Sequence, residues 1–185
     1  RKSELSGNIH TKGVMILSAY IANVFARSEE MRLSATIVFE QSYYEVDGDS
    51  ASLAELCCLL SALAEAPVAQ GLAITGAVDQ FGRVQAIGAV NEKIEGHFEL
   101  CQARGLNGHQ GVIIPRANLS QLNLEPQVIA AVKANQYHVY AIDDVAEALA
   151  LLTGENQQQL YARIEKRLAE LQHCEPDLPW YKSIW

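Results

Sequence analysis

At 185 residues, 49% hydrophobic and 19% charged, the chain has the composition of a globular protein with one sizeable core, not of a disordered one. Its net charge of −8 and the lack of any basic run argue against nucleic acid or anionic lipid as the main partner, because both reward clustered Lys and Arg. The four cysteines (Cys57, Cys58, Cys101, Cys174) form no CxxC pair and are too sparse for a disulfide framework, so the expectation is no metal site and a reduced, cytoplasmic setting.

Opening on Arg1 rather than Met, the chain is expected to be a piece of a longer protein. Residues 13–25 (GVMILSAYIANVF) resemble a signal-peptide core but are too short to span a bilayer and lead into no convincing cleavage site. Val14, Leu17, Ile21 and Val24 fall at helical spacing, so a packed amphipathic helix is predicted, with no membrane span. Residues 33–44 (LSATIVFEQSYY) are rich in β-branched and aromatic side chains and read as a strand. The tight polar segment 45–50 (EVDGDS) then leads into a helix over residues 50–66, stopped by Pro67. Residues 71–78 and 83–87 flank Asp79-Gln80-Phe81-Gly82 and read as a β-hairpin. A helix over 88–104 is closed by Gly105. A buried strand at 111–115 (GVIIP), a helix at 126–134 and a strand at 137–142 follow. Asp143 or Asp144 caps a helix that Gly154 ends, and 155–172 form a charged amphipathic helix before a Pro- and aromatic-containing tail. This order predicts an α+β, or mixed α/β, domain over residues 1–154, with 155–185 as a C-terminal extension.

Two segments carry candidate chemistry. Asp47-Gly48-Asp49-Ser50-Ala51-Ser52 lies at the head of a helix, where Ser is a preferred N-cap. A serine there can equally present its oxygen as a nucleophile beside unpaired backbone N–H groups that would hold an oxyanion. Gly88-Ala89-Val90-Asn91-Glu92-Lys93 opens the helix after the hairpin, and its bland reading is a solvated lysine with Asn91 as cap. A lysine near a helix N-terminus is disfavoured by the dipole, however, and burial would lower its pKa further, toward the neutral amine that a general base must be.

Taken together, GDSAS, an apolar helix and LAITGAVDQFGRVQAIGAVNEKIEG resemble the catalytic region of Lon proteases. The matching residues are Ser50, Thr75-Gly76, Gly82, Val84, Ile87-Gly88 and Lys93; the second glycine of the family's Gly-Gly pair is Ala89 here. Asp49 before the serine is similar to the archaeal-type branch, and the likeness runs on through GVIIPRANL and YHVYAIDDVAEALALL. The resemblance implies a Lon proteolytic-domain fold and a Ser50–Lys93 dyad. Thr75 would orient the lysine, or merely fill a strand, and Asp47 and Asp49 would support the loop, or merely form a turn. It also implies a ring, usually a hexamer, acting on unfolded protein or peptide. No cofactor is implied for this domain; ATP and Mg belong to an ATPase part outside it, since no P-loop occurs in the chain.

The rivals are a non-catalytic Lon-like assembly module and a fragment whose dyad is silent when cut from its motor. His10, His97, His109, His138 and His173 are scattered without HExxH or triad spacing, and His10 reads as a surface or capping residue ahead of the first helix. Cys57 and Cys58 read as inert, buried packing residues. Leu178, Trp180, Tyr181, Ile184 and Trp185 suit either an interface or a tail folded on its own core.

Overall fold

The computed structural model describes residues 8–25, 33, 35–39 and 48–173, with the side chains of 8–12, 14 and 173 left aside. Its elements in order are α1 (Asn8–Phe25), α2 (Ser52–Ala64), β1 (Leu72–Ile74), β2 (Ala77–Val78), β3 (Val84–Gln85), α3 (Val90–Arg104), β4 (Gly111–Pro115), a 3-10 turn (Arg116–Gln121), α4 (Pro126–Lys133), β5 (His138–Ile142), α5 (Val145–Thr153) and α6 (Gln157–His173). Strands β1, β4 and β5 form a parallel three-stranded sheet with β4 in the middle, and β2–β3 form a separate antiparallel pair. The architecture is mixed α+β.

The central strand explains the layering. All five residues of β4 are buried, as expected of a parallel strand covered on both faces. Side chains alternate across a strand, so Ile113 joins the core formed with α1, α2, α5 and α6, while Val112 and Ile114 join the core formed with α3 and α4. Leu53, Leu56, Cys57, Leu60 and Leu63 supply the buried stripe of α2. On the opposite layer, Val90, Ile94, Phe98 and Cys101 do the same for α3.

Several sequence expectations shift. The segment 71–78 is two strands in two sheets, because the chain breaks step at Thr75–Gly76 to bond elsewhere. Residue 33 and residues 35–39 lie in no strand. The side chains of 35–39 face solvent, where β-branched composition has no pleated surface to pack on. The remainder of the expected 33–44 strand, Asp47 and the tail 174–185 lie outside the described residues. Helix α2 begins at Ser52, and its N-cap Ala51 makes no side-chain cap, so Ser50 is not a capping residue. The 3-10 turn after β4 was not foreseen, whereas Asp144 caps α5 by accepting the Glu147 N–H.

Helix α6 packs against α2. Leu160, Ile164 and Leu168 recur every fourth residue and are buried in the α2 core, and the hydroxyls of Tyr20 and Tyr161 meet at 2.8 Å. Its outer face carries Arg163 paired with Glu155 and Arg167 paired with Glu170. Among the described residues, no helix is long and apolar enough to cross a membrane.

Candidate active site

The break between β1 and β2 anchors the turn that holds Ser50. Gly76 donates its N–H to the Ser50 carbonyl at 2.9 Å and accepts from the Leu53 N–H at 3.1 Å. A Cβ at Gly76 would lie 2.7 Å from Leu53 Cδ2 and 3.2 Å from Val84 Cγ1, so a side chain there would have to push its neighbours aside. Two residues on, the buried Ser52 hydroxyl accepts the Val78 N–H at 3.2 Å. The head of α2 is thus stitched to residues 75–78, and the Ser50 hydroxyl is left for other contacts.

Its partner arrives from the other layer. Lys93, the fourth residue of α3, donates from Nζ to Ser50 Oγ at 2.9 Å and to Thr75 Oγ1 at 3.3 Å. Thr75 Oγ1 in turn donates to the Ser50 carbonyl at 3.4 Å, a long contact that leaves its lone pairs free to face the amine. Burial holds the Lys93 pKa below the ordinary lysine value, and the Asp49 carboxylate partly opposes the shift by favouring the charged form. When the amine is neutral the contact can reverse, with the serine O–H donating to Nζ, which is the direction needed to activate the oxygen.

The structure therefore brings Ser50, Lys93 and Thr75 together, with Asp49 near enough to act on the amine's charge. Asp47 lies outside the described residues. Asn91 is no cap: the N-cap of α3 is Ala89, with φ 55° and ψ 37°. That left-handed conformation is the one glycine adopts freely, and it falls where the sequence departs from the family's second glycine. Ala89→Gly is accordingly expected to stabilise the chain by about 0.5–1 kcal/mol, because relief of the Cβ strain exceeds glycine's extra chain entropy. Urea denaturation checks this; a lower midpoint for the variant would contradict the strain argument.

The other candidates sit elsewhere. His97 Nδ1 meets the Tyr137 hydroxyl at 2.8 Å, and His138 Nε2 meets the Gly108 carbonyl at 2.8 Å. His10 lies inside α1 rather than ahead of it. Burial pushes the Cys57 thiol up to about 12, so it is inert at neutral pH. Cys58, expected to be buried beside it, is exposed, because adjacent helical residues point about 100° apart and only one falls on the core stripe. Among the described residues, no three His, Cys, Asp or Glu side chains gather as metal ligands would. Sequence reasoning missed Ser52 and the fully buried Asn118, since Ser at a helix start and Asn in a turn are routine.

Comparison with known proteins places this geometry in context. Residues 2–153 match the family model of the Lon protease (S16) C-terminal proteolytic domain. A Lon protease homolog of Escherichia coli (strain K12) is 50% identical over 97% of this chain and 32% of its own length. A Lon protease homolog of Haemophilus influenzae is 53% identical over 83% of this chain and 26% of its own length. An archaeal Lon protease of Pyrococcus abyssi is 35% identical over 88% of this chain and 15% of its own length. The chain spans about a third or less of these curated relatives.

Proposed function

Because the chain belongs to the Lon protease (S16) C-terminal proteolytic domain family, we propose that it is a serine endopeptidase working through a Ser50–Lys93 dyad. The observation that carries this reading is the 2.9 Å approach of Lys93 Nζ to Ser50 Oγ, with Thr75 Oγ1 3.3 Å from the same amine. Ser50 Oγ attacks the scissile carbonyl carbon while Lys93 takes the hydroxyl proton. The tetrahedral intermediate collapses as Lys93 returns that proton to the leaving amine, giving an acyl-enzyme and the freed C-terminal fragment. Water then gives a proton to the same amine and attacks the ester; the bond to Ser50 Oγ breaks, Lys93 returns the proton to that oxygen, and the N-terminal fragment leaves as the acid. The Ser50 backbone N–H is the natural oxyanion donor. Thr75 orients the lysine, Asp49 limits how far its pKa falls, and Asp47 is a supporting residue.

The wider reading follows from the family. The chain is the proteolytic part of an ATP-dependent enzyme that degrades unfolded or damaged protein in the cytoplasm, assembled as a hexameric ring. ATP and Mg serve an ATPase part outside this domain, which itself uses no cofactor. A non-catalytic assembly module would have no use for a lysine held against a serine hydroxyl at the head of a helix.

The test is cleavage of a fluorogenic unstructured peptide by this chain and by the longer parent protein with ATP, across pH and protein concentration. The base must be neutral, so the rate rises as pH rises through the Lys93 pKa. That limb is expected below the ordinary lysine value of about 10.4. A rate that climbs with protein concentration supports a site completed by ring neighbours. No cleavage by the parent protein at any pH would refute the reading.

A further inference from the structure

The connection between β3 and α3 is held by a side chain distant in sequence. Asn118, in the 3-10 turn after β4, is 0% exposed. Its Oδ1 accepts the Ile87 N–H at 3.0 Å and its Nδ2 donates to the Ile87 carbonyl at 2.9 Å, so one carboxamide pairs with Ile87 as a neighbouring strand would. Nδ2 also donates to Gln121 Oε1 at 2.7 Å. Asn91, in the first turn of α3, grips the far end of the same turn. Its Nδ2 donates to the Gln121 carbonyl at 3.0 Å and its Oδ1 accepts the Asn123 N–H at 2.9 Å. Both sides of the Gly88–Ala89 link are therefore tied to one segment.

This arrangement matters because α3 has no side-chain cap and starts from a strained Ala89. In place of a cap, the start of the helix is held by Asn118 on Ile87 before it and by Asn91 on residues 121 and 123 within it. Lys93 is the residue whose N–H closes that first turn, onto the Ala89 carbonyl at 3.1 Å. Building on the dyad reading, we propose that Asn118 is a positioning residue for Lys93: by pinning Ile87 to the 3-10 turn it sets where α3 starts, and so where the lysine amine meets the Ser50 hydroxyl. Asn118 acts through the backbone of Ile87 and the side chain of Gln121. Misplacement of a reacting group by about 1 Å can cost a hundredfold in rate, so a clamp remote from the chemistry can be strongly felt.

The test compares Asn118→Leu with Gln121→Ala in the full chain. The first keeps the side-chain volume but withdraws both bonds to Ile87; the second removes only an exposed partner of the clamp. Two quantities are followed: peptide cleavage, and the NMR titration of isotope-labelled Lys93, assigned with Lys93→Arg. In folded Asn118→Leu, kcat is expected to fall about tenfold to a hundredfold while KM stays within about twofold. The Lys93 titration should move to higher pH as the loosened amine gains hydration, and Gln121→Ala should show the same in smaller measure. A merely structural role would lower stability without moving that titration. Parent kcat with an unmoved titration in folded Asn118→Leu overturns the proposal. Should that variant fail to fold, Asn118→Ala, which withdraws the same bonds to Ile87 without the branched side chain, decides: a shifted titration supports the clamp and an unshifted one overturns it. Cleavage retained by Lys93→Ala would refute the dyad alone, because the titration reports on the clamp whether or not the amine is the base.

Discussion

Ser50→Ala and Lys93→Ala are each expected to lower peptide cleavage by at least about a thousandfold, and the double variant to be little worse than either single one. The non-additivity follows from the geometry. Once Ser50 Oγ is gone, the amine 2.9 Å away has no proton to take. Lys93→Arg should fail to restore activity, because a guanidinium keeps its proton at any working pH. Ser50→Ala should cost less than about 1 kcal/mol of stability, since the side chain caps no helix and the Ser50 carbonyl keeps its bond from Gly76. Initial rates and urea midpoints on the same preparations separate the two effects. Turnover by purified Lys93→Arg would show that the base is another group.

The second large effect is on folding. Gly111→Val is expected to destabilise the chain by about 3 kcal/mol or more. A Cβ at Gly111 would lie 2.6 Å from the His138 carbonyl oxygen and 3.1 Å from its carbon, and these are backbone atoms that cannot rotate away. Gly111 pairs with His138 at the start of β4 and β5, so relief requires parting the two strands. The contrast is Gly96→Ala on the exposed side of α3, where an added Cβ meets nothing within 4 Å. There alanine should stabilise by about 0.5–1 kcal/mol through helix propensity. A Gly111→Val midpoint close to the parent's would mean that the sheet yields more easily than its packing implies.

What the sequence made legible was what is decided locally. Strand β4 could be placed to the residue, because five apolar positions stand between Gln110 and Arg116 with glycine and proline at their ends. Helix α5 could be placed because Asp144 starts it and Gly154 ends it in the left-handed conformation. The break at Thr75–Gly76 could not, because it exists to satisfy the carbonyl of Ser50, 25 residues earlier. Taken alone, the segment around Ser50 suited a cap as well as a nucleophile, because nothing nearby in sequence shows that its carbonyl is held by Gly76. The pairing of Ser50 with Lys93 was legible only through the motif that contains both, since a serine or a lysine at a helix start is unremarkable alone. Asn118 stayed hidden because a turn asparagine and a buried clamp have the same sequence signature.

The two cores on either face of β4 give the serine–lysine pair a precarious address. Ser50 is carried by the layer of α1, α2, α5 and α6, and Lys93 by the layer of α3 and α4. The pair straddles a seam rather than resting within one packed unit. Proteins open in parts at free energies below that of global unfolding. Loosening of either layer would therefore draw the hydroxyl and the amine apart while most of the chain kept its native form. The weaker layer, not the whole domain, would set the temperature at which the hydroxyl and the amine part.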